Sequence, residues 1–253
     1  MVILPILSLG SVAFSKGWAS FWAAITRREA LASISLTFQV SFLATAITAL
    51  AGLWIAWTLK RREFWGKSLL EALIDLPLAL PAIVGGLVLL SMYGPNGILG
   101  AFLGKHGIEV IFAKPGILLA LLFVTLPLMV RTVQPVIEEL EPEVEQASFT
   151  LGASRLETFM RVTLPTLLPG VATGVSLTLA RALGEFGSLV LIAGNIPFRT
   201  EVAPTYVYAR IESGEPEAAA AVAVALLIAS IAMLLAIEYL QVRARRVGRR
   251  HGR

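Results

Sequence analysis

Long apolar runs divided by short charged clusters set the pattern of this chain, and the length of each run predicts an element. A helix crosses the hydrocarbon core of a bilayer with about 20 apolar residues. No charge falls between Glu29 and Lys60, between Asp75 and Lys105, or between Glu217 and Glu238, so each interval predicts a membrane span. Between Lys114 and Arg131 the 16 uncharged residues Pro115 to Val130 suffice for a fourth span if the helix runs on towards Pro135. From Leu167 to Ala193 the run is apolar and rich in small residues but contains Arg181 and Glu185, which makes a fifth span with a polar site in its interior. Met1 to Ser15 reaches only about 22 Å as a helix, short of the roughly 30 Å core. With no basic residue ahead of its apolar run and no clear cleavage site, it is expected to be a shortened first span from a start codon placed too late, rather than a signal peptide.

Composition extends this picture. Apolar residues make up 57% of the 253 and charged residues 15%, too many and too few for a soluble globule, so much of the surface must face lipid. The predicted fold class is therefore all-α: one polytopic transmembrane domain over residues 1–253 with about six membrane helices, the first one short. There is no cysteine for a disulfide or thiolate metal site, and the two histidines, His106 and His251, lie far apart. No catalytic residue, metal ligand or cofactor is assigned, and no enzyme is expected. Gly66-Lys67-Ser68 resembles the end of a phosphate-binding loop, but Arg61 stands where the first glycine is required, so ATP binding by this chain is not expected.

Charge orients the spans. Thirteen of the 21 lysines and arginines fall on one side: Lys60, Arg61, Arg62, Lys67, Arg131, Arg155, Arg161 and the six tail arginines from Arg243 to Arg253. Lys16, Arg27, Arg28, Lys105, Lys114, Arg199 and Arg210 fall on the other, with Arg181 inside the membrane. Positive charge marks the cytoplasmic side, so both termini are expected inside. The basic tail 242–253 directly follows a span, which favours anionic lipid over nucleic acid as its contact.

Residues 131 to 166 form the one sizeable loop on that side, and its punctuation predicts two short helices joined at a glycine. Pro142 suits a first helical position, and Glu143 and Glu145 place negative charge in the first turn. Gly152 is placed to end the helix in a left-handed turn. Ser154 and Glu157 match a capping box for the next helix, with Leu156, Phe159 and Met160 on one apolar face before Pro165 is expected to stop it. The result is an amphipathic elbow beneath the membrane, which serves either as a plain connection or as a contact surface.

Gln146-Ala147-Ser148, three residues, Gly152, nine residues, Val162, one residue and Leu164-Pro165 resemble the EAA-x3-G-x9-I-x-L-P loop of bacterial ABC-importer permeases. Gln146 stands where the family has glutamate and Ser148 where it has the second alanine, with Glu145 one place earlier. The runs "LPLALPAIVGGLVLL", "VRTVQPVIEELEPEVEQASFTLGA" and "RALGEFGSLVLIAGNIPFRTEV" are similar to permeases of the sulfate/thiosulfate type, its T-type subunit in particular, over about residues 30–245. Molybdate and tungstate permeases are close relatives. The resemblance implies a type I ABC-importer permease fold in the bacterial or archaeal cytoplasmic membrane, importing an oxyanion. It further implies a loop at 143–165 that docks on a separate ATPase, with Glu145, Gln146, Ala147, Ser148, Gly152, Ala153, Arg155, Val162, Leu164 and Pro165 as its residues. Implied partners are a second permease (W-type, or a homodimer mate), two ATPase subunits carrying ATP and Mg, an extracytoplasmic sulfate-binding protein that delivers the anion to the side where the exposed segment Asn195 to Glu217 lies, and membrane lipid. A secondary anion transporter is the alternative of a different class; no internal repeat is evident to support it.

Arg181 and Glu185 stand one helical turn apart and are expected to pair, because neither faces lipid without large cost. Either the pair is an internal tie between spans or it lines the route of a tetrahedral dianion. Gly184 and Gly187 flank it, and Gly170 and Gly174 form a G-x-x-x-G earlier in the same span. Asp75, Pro77 and Pro81 mark the entrance to the third span, where two prolines predict a kink beside the route or simply a kink for packing.

Overall fold

The computed structural model describes the backbone of residues 3–250 and side chains as far as Tyr239. Every regular element among the described residues is helical. In chain order they are α1 (Ile3–Ala13), α2 (Trp18–Ile25), α3 (Arg28–Arg61), α4 (Lys67–Ala79), α5 (Ala82–Tyr93), α6 (Ile98–Gly104), α7 (Lys114–Glu138), α8 (Pro142–Thr150), α9 (Arg155–Thr158), α10 (Leu164–Leu183), α11 (Leu189–Ile192), α12 (Ala203–Glu212) and α13 (Pro216–Arg250).

Lipid is as apolar as leucine, so membrane helices associate through close fit and interhelical hydrogen bonds rather than through hydrophobic burial. The centre of the fold follows that rule. The buried stripe of α3 is built largely from Ala30, Ser33, Thr37, Ser41, Ala44, Thr48, Gly52 and Ala56. Met129 of α7 fills the space between α3 and α10: a Cβ at Gly52 would lie 2.7 Å from its Cγ, and one at Gly174 would lie 2.5 Å from its sulfur. Gly170 is closed in the same way by Val136, so the G-x-x-x-G of α10 is a contact face for α7. Thr48 and Thr125 hydrogen bond across α3 and α7 at 3.1 Å. Large apolar side chains point outwards instead, with Leu50 at 76% and Trp54 at 72% exposure on α3.

Among the described residues four helical segments are long and apolar enough to span a bilayer: Arg28–Arg61, Lys114–Glu138, Arg155–Leu183 and Pro216–Tyr239. The third predicted span differs from a simple kinked rod. α4 and α5 meet at 118° and form a fifth crossing only as a broken pair. Pro81 drives the residue before it out of helical conformation, and Leu80 is extended at φ −88° and ψ 139°. Pro77 is accommodated within α4, whereas Pro81 caps α5. α1 has 11 residues, about 16 Å of helix, and reaches halfway through a core of the usual thickness. The basic segment 242–253 continues α13 as backbone to Arg250; its side chains and residues 251–253 lie outside the described residues.

The fifth span is corrected at both ends. Pro165 does not stop the elbow's second helix. Its missing N–H would leave one carbonyl unbonded in regular α winding, and residues Phe159–Thr163 instead form a π-helical wide turn, with Leu164 N–H donating to the Phe159 carbonyl. The helix passes from Arg155 through this turn to Leu183. There it ends, ten residues before Ala193, and Glu185 lies beyond its last turn.

At the end of the bundle away from the elbow, Gly214 turns the chain at φ +75° and brings two carboxylates among three cations. Glu215 meets Arg27 at 2.6 Å and Arg210 at 3.7 Å, and Glu217 meets Lys16 at 2.9 Å. The hydrogen bond from Arg27 holds the Glu215 carboxyl below the usual carboxylate range. This clasp fastens the segment after α1, the start of α3 and the α12–α13 turn together.

Candidate functional site

The elbow forms where the local sequence places it. Pro142 opens α8, with Glu143 and Glu145 in its first turn. Gly152 turns left-handed at φ +89°. Ser154 then caps α9 by a reciprocal pair of bonds: its Oγ accepts from Glu157 N–H at 3.3 Å, and its own N–H donates to Glu157 Oε2 at 2.9 Å. Leu151, Leu156, Met160, Val144 and Phe149 remain exposed, at 88, 70, 54, 48 and 45%, so the elbow presents an apolar surface away from the bundle. Gln146, Ala147 and Arg155 are exposed as well, while Ala153, Val162 and Leu164 are half-buried and Pro165 is exposed.

Three contacts fasten this surface to the spans. Glu145 Oε1 accepts from Arg61 Nη2 of α3 at 3.2 Å and from Thr163 Oγ1 of the wide turn at 3.0 Å. Arg61 also lies over the Trp57 ring at 5.0 Å. Ser148 bonds Thr158 at 3.0 Å, tying α8 to α9. A cavity of about 540 Å³ opens between these elements, lined by Trp54, Trp57, Glu145, Phe149, Arg155 and Phe159 among others. Glu145, one place before the motif position held by Gln146, thus carries the charged contact, and it points inwards to the protein's own spans.

Arg181 and Glu185 pair, as expected from their spacing, at 2.7 Å between Nη1 and Oε2. The geometry is not that of two neighbours on one continuous helix. Gly184 follows the last turn, and Glu185 folds back as a cap whose Oε1 accepts from the N–H and the hydroxyl of Ser188, each at 2.9 Å. The contact with Arg181 is an ion pair without an aligned hydrogen bond. Glu185 is 1% exposed and Arg181 40%, so the carboxylate is a buried anchor and the guanidinium reaches a surface. Gly187 lets this loop lie on the first turn of α5: a Cβ there would sit 2.8 Å from that of Ala82. Gly86 is likewise closed by the Ser188 backbone at 2.8 Å. The break after α10 and the break at Pro81 therefore meet. Gly184 faces no such neighbour.

Asp75 takes part in a different contact. Its two oxygens accept from Nε and Nη2 of Arg131, the first at 2.7 Å, and Arg131 Nη1 donates to Gln134 at 2.8 Å. This planar two-bond pairing holds α4 against α7. Sequence reasoning gave Arg131 and Arg61 no partner, counting both as orienting charges, and did not find Thr163 or Ser188. Arg61 and Arg131 meet carboxylates 84 and 56 positions away, and Thr163 and Ser188 are ordinary small polar residues, so the one usable signal was a lone carboxylate, Asp75 or Glu145, needing a cation.

Among the described residues the molecule is a bundle of broken and continuous membrane helices with an exposed apolar elbow at one end, the architecture of a membrane-embedded subunit. The chain belongs to the family of binding-protein-dependent transport system inner membrane components, whose model matches residues 48–246. It is a multi-pass inner-membrane permease subunit of an ABC importer, and such importers hydrolyse ATP on a separate subunit and receive cargo from a binding protein. It is 42% identical to the sulfate transport system permease protein CysT of Salmonella typhimurium, over 96% of this chain and 88% of that one. The protein of the same name from Synechocystis is 41% identical over 97% of this chain and 86% of its own length. In fold it is similar to a chain of a bacterial ABC transporter involved in the import of the acidic polysaccharide alginate, with TM-score 0.81 and 16% identity over 96% of this chain and 90% of that one.

Proposed function

We propose that this chain is half of the pore of an ATP-driven sulfate or thiosulfate importer, moved by its ATPase through residues 143–165. The observation that carries the reading is the elbow: an exposed apolar surface hydrogen-bonded, through Glu145, to α3 and to the wide turn beneath α10, in a chain whose relatives are named sulfate permeases. A push on that surface is passed to two spans at once. Glu145, Ser148, Gly152, Ala153, Val162, Leu164 and Pro165 set the elbow's shape, and Gln146, Ala147 and Arg155 face its partner. ATP and Mg bind on two ATPase subunits on the cytoplasmic side, where both termini of this chain lie. A second permease, of the related W-type or a copy of this chain, completes the pore, and a sulfate-binding protein delivers cargo to the opposite face.

Arg181 offers the cargo a cation held in place by a buried carboxylate. The Glu185–Ser188 loop, Gly184, Gly187 and the Pro81 break form the joint beside it, with Asp75 and Pro77 bracing α4 against α7. Opening and closing are population shifts between inward-facing and outward-facing states, driven by differential binding of the ATPase and the loaded binding protein. The test is uptake of radiolabelled sulfate by cells expressing the chain with its partner subunits. Sulfate uptake that needs ATP and is unaffected by excess molybdate supports the reading; competition dominated by molybdate moves the cargo to that oxyanion.

A further inference from the structure

The elbow and the buried ion pair leave the outer end of the molecule without a role, and a cavity of about 950 Å³ lies there. Its wall runs from Tyr93 through the α6 region to Lys114 and is closed by the segment Ile196 to Thr200. Lys105, Lys114 and Arg199 line it, against one carboxylate, Glu109, among the lining residues. Elsewhere on this face three cations are neutralised: Lys16, Arg27 and Arg210 all meet Glu215 or Glu217. Lys105, Lys114 and Arg199 form no ion pair among the described residues. Arg28 also lacks one, but it does not line the cavity.

The walls are held in a costly conformation. Among the described residues three that are not glycine have positive φ: Phe112 at 60°, Asn195 at 47° and Phe198 at 63°. Phe112 and Phe198 line the cavity, and Asn195 adjoins Ile196, which does. A bulky aromatic residue enters the left-handed region only where its surroundings force it, and such strain gathers where a site is preformed. The forcing contacts are visible. Phe112 N–H donates to the Ile192 carbonyl at 2.8 Å, and Gly194 leaves its ring so little room that an added Cβ would lie 2.8 Å from it.

We propose that this cavity is a receiving vestibule for a small tetrahedral oxyanion, which Lys105, Lys114 and Arg199 draw in as it leaves the binding protein. A cleft whose lining carries an excess of one sign of charge, here three cations against Glu109, focuses the field and raises the local concentration of the opposite ion. Exposed cations and the nearby Glu109 keep the hold weak, as passage requires. Naming sulfate as the ion rests on the cargo proposed above; the anion-receiving role rests on the cavity.

The chain has no cysteine, so Ala101→Cys places a single thiol in the cavity wall of the assembled transporter. An anionic methanethiosulfonate reagent should modify it about tenfold faster than a cationic one at low salt. The triple variant Lys105→Gln, Lys114→Gln, Arg199→Gln should abolish that preference, and Arg28→Gln should leave it intact. Sodium sulfate should slow the anionic reagent more than sodium chloride of equal ionic strength, which separates occupancy from screening. Equal slowing by the two salts, and by molybdate, overturns the proposal. So does protection by the ligand-free binding protein without protection by any oxyanion, which would make the cavity a protein-docking surface. Protection by molybdate but not by sulfate keeps the vestibule and removes the sulfate assignment.

Discussion

Gly152 turns the elbow with φ at +89° and no atom within 4 Å of where a Cβ would stand, so only backbone strain opposes a side chain there. A β-branched residue in that conformation costs about 1–2 kcal/mol or resets the angle between α8 and α9. Gly152→Val should reach the membrane in normal amount yet lower sulfate uptake at least about tenfold, the equivalent of roughly 1.4 kcal/mol; normal uptake with normal ATPase association would remove the elbow from the coupling route. Glu201 is 6% exposed, and burial pushes its carboxyl above the usual range. A carboxyl raised in this way favours the folded state below its unfolded pKa and loses that advantage as pH rises through its folded value. Glu201→Gln should therefore raise the thermal midpoint relative to the parent at pH 7 and lose the gain near pH 4, as read by unfolding in detergent. Residue by residue, what depends on near neighbours was legible: the left-handed glycine, and the capping box of Ser154 and Glu157. Arg61 and Glu145 are 84 positions apart, and nothing local distinguishes that arginine from Lys60 or Arg62 beside it.

Among elements, charge-free intervals located the continuous spans because bilayer thickness fixes their length, whereas breaks depend on what a neighbour supplies. Pro77 and Pro81 read alike in sequence, but one sits within α4 and the other opens α5, where the loop of Gly187 and Ser188 covers the break. Pro165 is absorbed by a wide turn rather than ending a helix. The Arg181–Glu185 contact was legible as a pair, and its position beyond the last turn of α10 was not. Breaking it should separate anchor from route. Arg181→Met leaves a buried carboxylate without its cation and should reduce folded yield on size-exclusion chromatography. Adding Glu185→Gln should restore yield while uptake stays low; uptake restored along with yield would make the pair a structural tie alone.

For the whole molecule, the cation imbalance predicts which end is cytoplasmic, and the structure shows that Arg61 and the elbow share one end while Lys16, Arg27 and Arg210 gather at the other. A membrane-impermeant thiol reagent applied to intact cells should label Ser213→Cys, whereas Trp65→Cys, at a fully exposed side chain, should react only after permeabilisation. The reverse pattern would invert the topology. The wide turn at Phe159–Thr163 gives this arrangement a mechanical character of its own. It stores one residue of surplus winding, and regular α winding advances about 100° and 1.5 Å per residue. Glu145 accepts from Thr163 inside that turn, so under the coupling role proposed above a push on the elbow enters α10 where its winding is irregular, and rotation of α10 about its own axis is the expected response.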